Sequence, residues 1–208
     1  PRRQVLGPEL AISGRRISVS ALAVSGTVFY TYLTLLTKRL SKLIDHGSLE
    51  EIQVFFNRRH VGLKSKLRFA LKHAIYHRRA DVVVYFCEST PELLEEIDER
   101  GCTFMHYCIQ VDTSIEIVVL LVRYAPFLLT QPNLMGLTPL HAACMYKHQN
   151  VIDKLVYVGT PLSRTTCTRY GDAMTTSIRN QRVQHIETLV RLGYRGLHLW
   201  NNTALSQT

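Results

Sequence analysis

A chain of 208 residues with 25 Lys and Arg against 16 Asp and Glu, net charge +9, has the length of one or two domains and a charge suited to acidic partners. Five cysteines, Cys87, Cys102, Cys108, Cys144 and Cys167, form an odd set without a C-x-x-C pair, which argues against a disulfide scaffold and for reduced thiols in the cytoplasm or nucleus. Phosphate-loop, nucleophile-elbow, metalloprotease and dinucleotide-binding motifs are all missing from the sequence, so it names no catalytic residue, cofactor, metal or small-molecule substrate, and the expectation is a non-enzyme.

Residues 1–37 read as a non-repeat N-terminal cap. The uncharged stretch 17–37, flanked by Arg15-Arg16 and Lys38-Arg39, has the length of a membrane span. Its many Ser and Thr weaken that reading, and Ser18 and Ser20 among β-branched neighbours suit a strand or irregular cap, so no membrane insertion is expected. No cleavable signal pattern is present.

From residue 38 a unit of about 34 positions recurs. The first unit, 38–66, is carried by Leu40 to Phe56, with a turn at Gly47-Ser48. The second, 67–98, has Leu71 and Ala74 on one helix and Val82, Val83 and Phe86 on the next. The third, 99–133, opens with Gly101-Cys102-Thr103-Phe104-Met105-His106-Tyr107-Cys108 and continues through Ile117, Val118, Leu120 and Leu121. In the fourth, 134–168, Gly136 suits a tight turn and Thr138 caps a helix whose first turn accepts Pro139. Leu140 there faces the core, Val151, Ile152, Leu155 and Val156 stripe a second helix, and Gly159 ends it. The fifth, 169–200, restarts at Gly171 with Ala173-Met174-Thr175-Thr176, and 201–208 opens a further or capping unit. A start at Pro1 and a stop inside a unit read as an excised piece of a longer chain.

Thr138-Pro139-Leu140-His141-Ala142-Ala143 resembles the T-P-L-H-x-A signature of ankyrin repeats. The resemblance implies an all-α solenoid of helix-turn-helix units joined by hairpin turns, one body of about five repeats with degenerate ends, acting as a protein-protein interaction scaffold. From Asp98 to Gly159, Thr103-Phe104-Met105-His106 and the Asn133-Leu134 loop leading into Thr138 are similar to the first two repeats of the IκB family. That likeness implies a signalling or transcription regulator gripping a Rel-type partner or a replacement for one. A generic adaptor, or a regulatory segment of a larger protein whose other domain is an enzyme, is the alternative.

In such a solenoid the hairpin tips and the free positions of each first helix line the concave side. They place Arg100, Tyr107, Gln110, Leu134, Met135, Leu137, Met145, Tyr146, Arg169 and Tyr170 at a partner-binding surface, with Leu134, Met135 and Leu137 either an exposed apolar anchor or folded inward. A second candidate surface is the run Arg58, Arg59, Lys64, Lys66, Arg68, Lys72, Arg78 and Arg79, with no acid between Glu51 and Asp81. Six acids and no base follow from Glu88 to Glu99. This basic run is either a solvated face or the contact for an acidic partner, a protein segment, nucleic acid phosphates or an anionic membrane surface, and nucleic acid would engage the chain only there. His73 and His77 stand at i, i+4 spacing without a third ligand nearby in sequence, and so count as surface histidines.

Overall fold

The computed structural model describes residues 9–12, 15–18, 26–58, 64–146, 148, 150–162 and 171–194. A short antiparallel ribbon comes first, β1 (Glu9–Ile12) and β2 (Arg15–Ser18), with Glu9 opposite Ser18. Among the described residues five helix pairs follow: α1 (Gly26–His46) and α2 (Leu49–Arg58), α3 (Lys64–Tyr76) and α4 (Ala80–Ser89), α5 (Phe104–Gln110) and α6 (Ile115–Tyr124), α7 (Pro139–Met145) and α8 (Val151–Tyr157), α9 (Ala173–Arg179) and α10 (Val183–Arg191). First helices stack on first helices, α1 on α3 and so on to α9, while α4, α6, α8 and α10 form the second layer. The all-α stack expected from the sequence is therefore present. The first helix begins at Gly26, eleven residues inside the stretch expected to be a non-repeat cap, because Leu36, Leu40 and Ile44 recur at helical spacing and are all buried against α3. Among the described residues no helix is long and apolar enough to cross a membrane.

Each inter-layer seam is filled from both sides. Phe86 and Phe104 are the largest fully buried side chains, with Leu71, Met105, Ile117 and Leu121 beside them. Two 3-10 turns, Pro91–Glu95 and Pro126–Leu129, plug the outside of the seams with Leu93, Leu94, Leu128 and Leu129. Their sequences, Pro91-Glu-Leu-Leu and Pro126-Phe-Leu-Leu, lie 35 positions apart, a recurrence as regular as the glycines.

Two loops project as fingers with the same internal wiring. In the first, the Asp98 carboxylate oxygen Oδ1 accepts the backbone N–H groups of Arg100 (3.0 Å) and Cys102 (2.7 Å). In the second, the Asn133 amide oxygen accepts those of Met135 (2.9 Å) and Leu137 (3.0 Å). Short acceptors that bond their own backbone two residues on are the usual chemistry of such turns. The Leu134 N–H then donates to the Arg100 carbonyl at 3.0 Å, fastening one finger to the next.

Gly101 makes that fastening sterically feasible. Its φ is +72°, and an added Cβ would lie 2.7 Å from the Leu134 nitrogen. Gly159, at φ +92°, would meet nothing within 4 Å. Gly159→Ala should therefore cost only the left-handed conformation, about 1–2 kcal/mol, and Gly101→Ala distinctly more, because it also pushes the next finger off. Urea denaturation of the two variants checks the difference; equal losses would mean that the fingers do not constrain each other.

Candidate functional site

The candidate surface is built by the fingers and the first helices behind them. Leu134 is 75% exposed and Met135 41% exposed, at the tip of the Asn133-wired finger. Arg100 is exposed at the neighbouring tip. Tyr107 on α5 and Tyr146 at the end of α7 are half-buried, and burial pushes both phenols above their ordinary range. The Lys72 ammonium stands 5.0 Å from the Tyr107 ring centre, a cation–π arrangement that joins units two and three. Gln110 is exposed, and its carbonyl accepts from His148 Nε2 at 3.0 Å. Met145 is half-buried, its carbonyl accepting from Arg182 at 3.2 Å.

Leu137 does not join this surface. It is 4% exposed, because the Asn133 amide grips its N–H and turns the side chain inward, and its carbonyl is taken by His106. Arg169 and Tyr170 lie outside the described residues, as does Cys167.

The basic run is more structural than its sequence suggests. Arg59 falls outside the described residues, and so do the side chains of Arg58 and Lys64. Lys66, expected on a basic face, is 5% exposed: at helical spacing along α3 one position of the run must point into the stack. Arg68 lies 5.6 Å from the Phe104 ring centre and donates to the Ile97 and Cys102 carbonyls, with Glu96 4.0 Å away. Lys72 is 3.9 Å from Asp98, and its pKa is lowered first by burial and then by Arg68. Arg79 is bidentate to Asp81 (2.9 and 2.7 Å) and also donates to the Ile44 and Gly47 carbonyls (2.8 and 3.1 Å). Arg78, at φ +58°, reaches the Asp112 carbonyl at 3.4 Å. The basic helix of unit two and the acidic segment that follows it thus partly neutralise each other within the molecule.

The repeat histidine has a structural post. His106 Nδ1 accepts from the Thr103 backbone N–H (3.3 Å) and faces Thr103 Oγ1 (2.9 Å). Nε2 therefore carries the proton and donates to the Leu137 carbonyl at 2.9 Å, one unit further on. Burial lowers the pKa of this imidazole, opposed by the Leu137 carbonyl and by Asp98. His141 takes up the same position against Thr138, with Nδ1 3.4 Å from its nitrogen and 2.8 Å from its Oγ1.

Cysteine chemistry is subdued. Burial pushes the Cys87 thiol up to about 11 and the Cys144 thiol up to about 12, and raises Cys108 as well. A thiol held protonated is a poor nucleophile. Asp45, which the sequence did not single out, lies beside His73 and His77.

Residues 93–166 match the family model of ankyrin repeats in three copies. No curated protein matches the chain. The matched segment covers units three and four and the turns around them, and the same helix pairing continues on both sides of it.

Proposed function

We propose that this ankyrin-repeat protein, a protein-protein interaction module by its fold, holds its partner against the finger tips Arg100, Leu134 and Met135 and the tyrosines Tyr107 and Tyr146 behind them. One observation carries the reading: two large apolar side chains stand in solvent on a finger whose backbone is locked by Asn133 and tied to its neighbour. Solvated apolar groups on a rigid support lose little freedom on binding and gain the most from desolvation. The exposed Arg100 at the neighbouring tip adds a cation beside the apolar pair, which suits a partner segment combining apolar and acidic residues.

A finer assignment, a signalling or transcription regulator of the IκB kind in the cytoplasm or nucleus, is supported by the Thr103-Phe104-Met105-His106 and Asn133-Leu134 resemblance. A generic adaptor, or a regulatory segment beside a catalytic domain of a longer protein, fits the same surface. Pull-down with mass spectrometry separates these. The double change Leu134→Asp, Met135→Asp should remove the partner while shifting the melting temperature by no more than a degree or two, as suits exposed sites. A Rel-type protein among the lost partners would favour the IκB reading. Partners kept by this variant but lost on neutralising Arg58, Arg59 and Lys64 would move the contact to the basic face and overturn the proposal.

A further inference from the structure

We infer that Asp45, His73 and His77 form a zinc site that clamps the first unit to the second. Asp45 is the penultimate residue of α1, His73 lies in the last turn of α3, and His77 follows α3 by one residue with its N–H still bonded to the His73 carbonyl at 3.0 Å. The Asp45 carboxylate oxygen Oδ1 is 2.8 Å from His73 Nε2 and 3.2 Å from His77 Nε2. All three donor atoms lie within 4.8 Å of one another. A tetrahedral zinc ion bound at about 2.0–2.1 Å sets its ligand atoms roughly 3.3 Å apart, so opening the Asp45–His73 pair by about half an ångström admits the ion.

Three features favour a cation over a plain hydrogen-bond cluster. Oxygens already converge on the nitrogen that would ligate the ion, His73 Nε2 facing both Asp45 Oδ1 and Ser41 Oγ at 2.8 Å. The site also sits at the C-terminal ends of two packed helices, where backbone carbonyls concentrate negative potential. Finally, the rings are held in place: His73 stacks on Phe69 at 5.5 Å and 16°, and Tyr76 lies edge-on to His77 at 5.0 Å. Fixed ligand orientation is what supporting contacts give a metal site. Two imidazoles and a carboxylate are a donor set that zinc shares with iron(II), copper and nickel, and the near-tetrahedral spacing of the Asp45 oxygen to the two nitrogens favours zinc. The side chains are 20 to 35% exposed, leaving an entry path and a fourth position for water.

The ion would bind folded chains, in which α1 and α3 are docked, and not the unfolded ensemble, so it stabilises that junction. Titration of the tag-free chain with zinc against a chelating dye should give one ion per chain and a higher melting temperature. His77→Gln, which alters the most exposed ligand and leaves the Ser41–His73 contact in place, should weaken zinc by about tenfold or more, and Asp45→Asn likewise. Cobalt substituted into the wild-type protein should give the intense visible bands of a four-coordinate site without a thiolate charge-transfer band. Unaltered zinc affinity in the His77→Gln variant overturns the inference, as does a cobalt spectrum that is six-coordinate or thiolate-bound. If His77→Gln and Asp45→Asn fail to fold, the cobalt spectrum of the wild-type chain decides alone.

Discussion

Phe104→Ala is expected to lower the unfolding free energy by about 3–5 kcal/mol, the range for emptying a fully buried aromatic site. Phe104 opens α5, is 0% exposed and has the Arg68 guanidinium over its ring, so its removal costs core volume and the cation's seat together. Because repeats touch only their neighbours, damage in unit three separates units one and two from units four and five. The urea transition should therefore broaden or split as well as move to lower concentration. Leu140→Ala, in the core of unit four, should cost about 2–5 kcal/mol by the same cavity argument. A single sharp transition at the wild-type midpoint for Phe104→Ala would mean that the stack closes over the gap.

His106→Ala should cost about 3 kcal/mol, from the lost helix cap and from a Leu137 carbonyl left buried without its donor. The imidazole also makes a pH prediction whose sign follows from its burial. Its folded-state pKa lies below the ordinary imidazole value of 6.5, so on acidification the unfolded chain takes up this proton before the folded chain does. The stability it contributes is complete above pH 6.5 and is lost as the pH falls through the folded-state value. Denaturation of wild type and variant from pH 7 down to pH 5 should show the wild type losing more, by up to about 1.4 kcal/mol per pH unit from this one group. Parallel curves would show that His106 takes up its proton over the same pH range in the folded and unfolded chains.

Units three and four were legible in the sequence because each signature residue does a local job. Gly101 and Gly136 take φ of +72° and +75°, Thr103 and Thr138 stand at helix starts, and the histidines follow three residues on. Units one and two lack the Thr and His marks, and their apolar stripes, with the Gly47-Ser48 turn in unit one, point to Leu40, Leu71 and Val82 but not to the residue where α1 begins. Leu137 and Lys66 were placed at surfaces on the strength of their neighbours. Which way a side chain leaves a finger depends on the Asn133 side-chain bonds, and those do not appear in a pattern of apolar and polar letters. The Asp45 cluster was out of reach for another reason. Its carboxylate lies 28 residues before His73, on a different helix, and only the stacking of α1 on α3 brings them together. Likewise the basic and acidic runs read as separate stretches of sequence, and the fold of unit two brings Arg68 to Glu96 and Lys72 to Asp98.

The subdued thiols give the stack a set of internal clocks. Cys87 sits in α4, Cys108 in α5 and Cys144 in α7, one in each of three consecutive units, all buried and held protonated. A thiol reagent can reach any of them only when its own unit opens, so the order in which they react times the opening of each unit without a single added probe. The molecule carries its own record of which part of the stack loosens first.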